Sequence, residues 1–406
     1  MATDDHPLRW RILSLLSVAE LFGMSLWFAG SAVASQLAQQ WGVGTAEAGW
    51  LTTVVQLGFV AGTALSAILN LADIVPSRRL FATAAISGAA ANAALTIAPS
   101  YEAALALRFI TGLCLAGVYP PAMKMISTWF RSRRGLAIGT IVGALTVGKA
   151  TPYLVHALPG ASAAAVLLTA SVGAVIAGLL VATGYRDGPF VFEARPFSWG
   201  LVATVGRVRE WRLSTGGYLG HMFELYAFWT WIPVFLAESQ RARYSAGDSS
   251  PGLISLISFL AIAAGGAGSI WGGLVADRRG RERLVTLALA WSGACSLLVG
   301  FFFGAPLWLL AGISLVWGFF VVADSAQFSA LVTESVPPYA VGTALTVQTF
   351  LGFLLTAVTI QGVPQIAAAT GWRWSFAVLA LGPAFGIAAI RSLKQLRQRS
   401  ATPVSI

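Results

Sequence analysis

Apolar runs of about 20 residues recur about a dozen times along the chain, and an α-helix of that length crosses the hydrocarbon of a bilayer. They leave little sequence for anything else. Of 406 residues, 57% are apolar, 43 are Gly and only 10% are charged, against roughly 25% charged in soluble domains. Backbone in lipid has to satisfy its own hydrogen bonds, so each run is expected to be a helix. The chain is therefore expected to be an all-α membrane protein with about twelve transmembrane helices. A soluble globular enzyme is excluded. The weakest joint falls between the ninth and tenth runs, where only Gly304, Ala305 and Pro306 interrupt the pattern.

The net charge of +10 would suggest nucleic acid as a partner in a soluble protein, but position decides against that. Lys and Arg fall in short bursts between the apolar runs. With the N-terminus inside, 20 of them lie on the cytoplasmic side, whereas the outer loops hold only Arg241, Arg243 and Arg373. This asymmetry obeys the positive-inside rule and implies an even number of spans with both termini cytoplasmic. Arg9 and Arg11 before an apolar run, with Ala32 and Ala34 beyond it, imitate a secretory signal. The run is long enough to span and similar spans follow, so it is expected to stay attached. Cys114 and Cys295 both sit inside apolar runs as small packing residues.

One connection is long. It separates residues 1–184, an expected six-helix bundle, from a second six-helix bundle at 213–406, with 185–212 as a central cytoplasmic loop carrying Pro189, Pro196 and five Arg. Within it, residues 197–212 read either as an amphipathic helix with Trp199, Val202, Val205 and Trp211 toward lipid, or as an ordinary tether. The halves also repeat. Glu20 to Trp27 (ELFGMSLW) resembles Glu224 to Trp231 (ELYAFWTW) at an offset of 204, and the same offset links Asp73 to Asp277 and Arg79 to Arg283. Two pseudo-symmetric bundles would put a solute path at their interface.

Gly273, Asp277, Arg278, Gly280 and Arg281 in GGLVADRRGR resemble the loop motif of the major facilitator superfamily. An acid at a helix end followed by cations can lock neighbouring helices in one state and release them in another. The matching loop LNLADIVPSRR keeps Asp73 and Arg79 but has Leu69 where the first Gly would stand, so the two loops are not expected to latch equally. LRFITGLCLAG, from Leu107 to Gly117, is similar to the superfamily's fourth-helix motif of an Arg with spaced Gly. The resemblance covers essentially the whole chain and implies the superfamily's fold and alternating access by two rocking bundles.

Helix five departs from the drug-expelling members, which often carry a long Gly motif ending in Gly-Pro. Here Gly139 and Gly148 keep the spacing, but Lys149 follows and Pro152 comes later. Lys149 either meets an anionic solute or snorkels to the outer interface. The segment from Tyr119 to Gly139 is similar to the fourth-to-fifth connection of bacterial anion and organic-anion porters in the superfamily.

Ionisable residues inside spans are expensive and so mark function or a structural ion pair. Arg108 and Lys149 are the candidate anion-binding cations, while Lys124 lies where it can snorkel inward. Glu20, Glu224 and Asp324 are candidate proton carriers, with His221 one turn before Glu224 as a relay. The alternative is that these acids pair with Arg108, Lys149 or His221 and hold helices in register. Trp27, Tyr153, Tyr226, Trp231, Gln327 and Gln348 are candidate lining residues, with Tyr119 and Trp229 beside them. No metal-ligand spacing, phosphate loop or nucleophile with a base is evident, so neither a cofactor nor an enzyme is expected. The expected function is proton-coupled uptake of a small, anionic solute by a monomer of the bacterial inner membrane, its partners being the solute, H+ and the bilayer. Proton-driven efflux of a drug or metabolite is the alternative.

Overall fold

The computed structural model describes residues 6–131, 133–190, 198–243 and 251–401, apart from the side chains of Ala72, Asp73, Arg134, Ser400 and Ala401. Among the described residues all regular structure is helical. The first half is α1 (Arg9–Ala32), α2 (Thr45–Ile68), α3 (Ser77–Ala94), α4 (Tyr101–Ser127), α5 (Arg134–His156) and α6 (Ala163–Gly184). The second is α7 (Arg209–Arg243), α8 (Pro251–Arg279), α9 (Arg281–Leu298), α10 (Leu307–Ser335), α11 (Val341–Thr370) and α12 (Leu381–Ala401). Three of these helices are interrupted: α1 at Ser25, α4 between Leu115 and Tyr119, and α10 at Asp324.

Among the described residues, eleven helices are long and apolar enough to cross a membrane. The twelfth span is α7, whose 35 residues carry His221, Glu224 and Gln240 among its apolar ones. It packs against α11 and α12 as α1 packs against α5 and α6. A helix buried on most sides by protein need not be apolar throughout, which is why hydropathy alone undervalues it.

The packing repeats when every label is advanced by six. In the first half α2 lies on α4 and α3 on α6; in the second α8 lies on α10 and α9 on α12. The halves meet through α5 against α8 and α2 against α11. Close approach depends on glycine at equivalent places. A Cβ on Gly112 would fall 2.1 Å from the Val55 carbonyl oxygen, tying α4 to α2, and one on Gly318 would fall 1.7 Å from that of Ala261, tying α10 to α8. Membrane helices gain little from hydrophobic contact with one another, so backbone proximity through small residues supplies the attraction.

The connection between halves departs from the sequence expectation. Phe197 lies outside the described residues; a helix runs over Trp199–Arg207 and stops at Val208 before α7 begins. Trp199 is exposed, but Val205 and Trp211 are buried against Val332, Val336 and Ala344. Trp211 also donates its indole N–H to the Ala344 carbonyl at 3.3 Å. The apolar stripe that suggested a lipid-facing helix serves the junction of α10 and α11.

Gly318→Ala is expected to cost about 1–3 kcal/mol through overpacking and to lower the unfolding midpoint of the detergent-purified protein. Gly312→Ala, on the same helix with open space at its Cβ, should leave that midpoint unchanged; equal behaviour of the two variants would contradict the packing account.

Candidate functional site

Lys149 sits one residue after Gly148, whose missing side chain lets α5 run against the backbone of α1: a Cβ there would lie 2.1 Å from the Leu21 oxygen. That approach carries the lysine to the seam between halves. Its ammonium donates to the Tyr226 hydroxyl of α7 at 2.5 Å. It also lies 4.1 Å from the Trp27 ring centroid, 4.8 Å from that of Tyr226 and 5.2 Å from that of Trp229. The aromatic cluster continues through Phe28, Phe59, Tyr153 and Phe353, so α1, α2, α5, α7 and α11 all contribute rings. Lys149 is 3% exposed and Trp27 is fully buried.

Several polar atoms around this cluster have no hydrogen-bond partner: both carboxylate oxygens of Glu20, the indole N–H of Trp27 and of Trp229, and the Tyr153 hydroxyl. Gln56 on α2 and the Gln348 amide nitrogen on α11 are buried in the same condition. Glu20 lies within electrostatic reach of Lys149 and of Tyr119. Unsatisfied buried polar groups each cost about 1–3 kcal/mol, and a cluster of them around one cation is a site prepared for something that supplies donors and acceptors.

Arg108 stands apart from that ammonium in its bonding. Its Nε donates to the Leu51 oxygen at 3.1 Å, and one terminal nitrogen to the Leu26 oxygen at 2.9 Å and the Asn92 Oδ1 at 3.3 Å. The other terminal nitrogen donates to the Trp27 oxygen. The guanidinium thus clamps α1 just beyond its interruption to α2 and α3. Asn92 is fixed in turn by Ser171 and the Leu167 carbonyl of α6.

The acids of the second half lie together inside its bundle. Asp324 occupies the interruption of α10, with its Oδ1 3.0 Å from His221 Nδ1. The Ser325 hydroxyl stands 3.0 Å from His221 Nε2. Glu224 accepts from the Trp317 indole at 2.8 Å, and the Ser292 hydroxyl lies beside its carboxylate. Tyr226 is only two residues further along α7, and residues at that spacing face different sides, so the cage and the Glu224 pocket share a helix without sharing a wall. Glu20 and Glu224 therefore occupy equivalent positions in sequence with different neighbours. Trp231 likewise differs from Trp27: it donates to the Ile360 carbonyl at 2.7 Å and packs on Gly49. Gln327 is buried on α10.

Trp231 belongs to a closed layer on the face away from the arginine-rich loops. There Gln361 donates to Thr53 at 2.7 Å, and His156 Nδ1 meets the Ser255 hydroxyl at 2.7 Å, both across the halves. On the basic face, the Asp277 carboxylate lies beside the first turn of α5, 3.4 and 3.5 Å from where a Cβ on Gly135 would sit. An anion there is favoured by the amides at the helix start. Gly273 faces Gly135 at the same crossing, and Gly280, at φ +89°, turns the chain from α8 into α9. Arg281 pairs with Glu334, whereas Arg278 and Arg79 are exposed. The Asp73 side chain lies outside the described residues.

Sequence reading missed Phe28, Phe59 and Phe353, which have no polar atom to mark them among apolar neighbours. Asn92 and Gln56 carried a usable signal, since an amide in the middle of a span is costly for the same reason as a charge.

A family model for the Major Facilitator Superfamily matches residues 15–359. The niacin transporter NiaP of Acinetobacter baylyi is 36% identical over 99 residues, which are 24% of this chain and only 22% of that transporter's length. A bacterial homologue of the human lysosomal transporter Spinster, inward-facing and unoccupied, superposes with TM-score 0.73 at 14% identity, covering 96% of this chain and 98% of its own. The occupied inward-facing form gives 0.73 at 13% identity, covering 98% and 100%.

Arg108→Ala is expected to lower stability by about 3 kcal/mol, because it removes charge-assisted hydrogen bonds and strands buried carbonyls. Lys149→Gln should cost clearly less, since the cage closes on a neutral amide. Thermal unfolding in detergent separates the two, and a larger loss for Lys149→Gln would contradict this assignment.

Proposed function

The chain belongs to the Major Facilitator Superfamily and is a secondary transporter, and from that premise we propose that it takes up a small aromatic or heteroaromatic carboxylate together with a proton. The observation that carries this reading is the Lys149 ammonium inside a ring of Trp27, Tyr226 and Trp229 at the seam of the halves. A desolvated cation–π contact contributes about 2 kcal/mol or more, and a hydrogen bond to a charged partner about 1.5–3 kcal/mol. A carboxylate can therefore draw the ammonium out of the rings, which are then free to stack on an aromatic body. Tyr153, Gln56 and Gln348 supply further donors. The likeness to a niacin transporter favours a solute of this class.

Glu20 stands in the field of Lys149 with no partner of its own. A proton carried on Glu20 balances the arriving carboxylate, so the loaded site crosses without surplus charge. His221 and Asp324, joined where α10 is interrupted, and Glu224 beside Trp317 form a second proton-accepting group on the other half. Arg108 acts in this reading by holding the bend of α1 under the cage. Because α1 and α7 touch through Trp27, Phe28, Tyr226 and Trp229, seating a solute among these rings alters the contact that keeps the halves together. Asp277 against α5, with Gly273, Gly280, Arg278 and Arg281, is the latch on the basic face, and Asp73 with Arg79 its counterpart. By the positive-inside rule that face is cytoplasmic, with both termini, in the inner membrane of a bacterium.

In proteoliposomes with an acidic exterior, the reconstituted full chain should accumulate labelled nicotinate or benzoate beyond the level of protein-free vesicles. Lys149→Gln should cut the initial rate about tenfold or more, the equivalent of one lost charge-assisted bond. Glu20→Gln should keep solute exchange but lose accumulation driven by the pH gradient. Wild-type accumulation in both Glu20→Gln and Glu224→Gln would refute proton coupling through these acids.

A further inference from the structure

A groove of about 380 Å³ runs between the basic-face ends of α9 and α12, and its lining shares no residue with the cage. It is built from two helical stripes. Arg283, Thr286 and Leu287 fall at i, i+3 and i+4 on one face of α9, while Arg391 and Lys394, with the edge of Ile390, line the opposite wall on α12. The upper end of the groove is cationic and the lower end apolar.

Three features distinguish it from an ordinary basic loop. Arg283, Arg391 and Lys394 make no ion pair among the described residues. Glu282, the acid that lines the groove, pairs with Arg397 at 2.8 Å and makes no ion pair with Arg283, Arg391 or Lys394, so the lining keeps a surplus of three cations over one acid. Finally, the apolar end opens outward: Leu287 is 40% exposed, and Trp291, one turn deeper on the same stripe, is 51% exposed. On a spanning helix those side chains face acyl chains.

We propose that this groove binds the headgroup of an anionic phospholipid, with the phosphate between Arg283, Arg391 and Lys394 and an acyl chain along Leu287 and Trp291. Charge complementarity selects the occupant: three unpaired cations above a lipid-facing apolar strip fit a molecule that is anionic at one end and hydrocarbon at the other. Cations at this depth each contribute about 1 kcal/mol toward an anionic membrane surface, and a groove gathers three around one group. A lipid seated there would hold α12 against α9 within the second half.

Native mass spectrometry of the detergent-solubilised full chain, supplied separately with phosphatidylglycerol, cardiolipin and phosphatidylcholine, tests the site. The anionic lipids are expected to be retained about tenfold or more over phosphatidylcholine. That preference should fall close to unity when Arg283, Arg391 and Lys394 are all changed to Ala. It should persist when Arg283→Lys and Arg391→Lys keep the charge, and when Arg11, Arg186 and Arg279 on the same face are changed to Ala instead. Equal retention of all three lipids would overturn the proposal, as would a preference that survives the triple groove variant. Displacement of phosphatidylglycerol by millimolar glycerol phosphate would overturn it in favour of a soluble anion.

Discussion

An ammonium in the interior of a bilayer cannot borrow water, so Lys149 has to be satisfied by whatever the surrounding helices present. They present aromatic faces and one phenol. The lysine belongs to the first half and the phenol, Tyr226, to the second, so the solution to a local solvation problem is also a bond between the two bodies that have to move. The arrangement is stable enough to persist and weak enough to exchange. Each cation–π contact is of the same order as the hydrogen bond an ammonium makes to a charged partner, so one can be exchanged for the other, and the unpartnered Glu20 nearby shows that the cluster has electrostatic capacity its own residues do not use.

Around that point the structure divides into parts that are rigid and parts that are not. Within each half, glycines such as Gly112 and Gly318 bring backbones together with no room for even a methyl group, and Arg108 and Asn92 bind α1, α2, α3, α4 and α6 through buried hydrogen bonds. Between the halves, the polar ties among the described residues are few: Lys149 with Tyr226, Thr53 with Gln361, His156 with Ser255, Ser269 with the Gly139 carbonyl, and the Asp277 carboxylate at the start of α5. Two stiff bodies joined by exchangeable contacts suit rocking about a midplane site.

Much of this was legible in the sequence because the bilayer enforces it. Apolar runs, the arginine asymmetry and the offset linking Glu20 to Glu224 gave the helical architecture and its repeat, and the cost of charge in lipid singled out Arg108, Lys149 and Asp324. The partners of those residues were not legible. Nothing in the spacing of Arg108 distinguishes a guanidinium facing a cavity from one facing the carbonyls of Leu26, Trp27 and Leu51; only the fold decides. The equivalence of Glu20 and Glu224 was real in sequence, yet Trp317 occupies one environment and has no counterpart at the other. Phe28, Phe59 and Phe353 were hidden because an aromatic in a span reads the same whether it meets lipid or a ligand. Val205 and Trp211 misled for a related reason: an apolar stripe states that a face is buried without stating against what.

The central claim is that the caged ammonium of Lys149 is the anchor for an aromatic carboxylate. Calorimetric titration of the purified protein with nicotinate, benzoate and their uncharged amides tests it directly. The account predicts that the acids bind and the amides do not, and that Lys149→Gln abolishes the difference while Tyr226→Phe, which frees the ammonium from its internal partner, tightens binding. Acids bound with unchanged affinity by Lys149→Gln would contradict it.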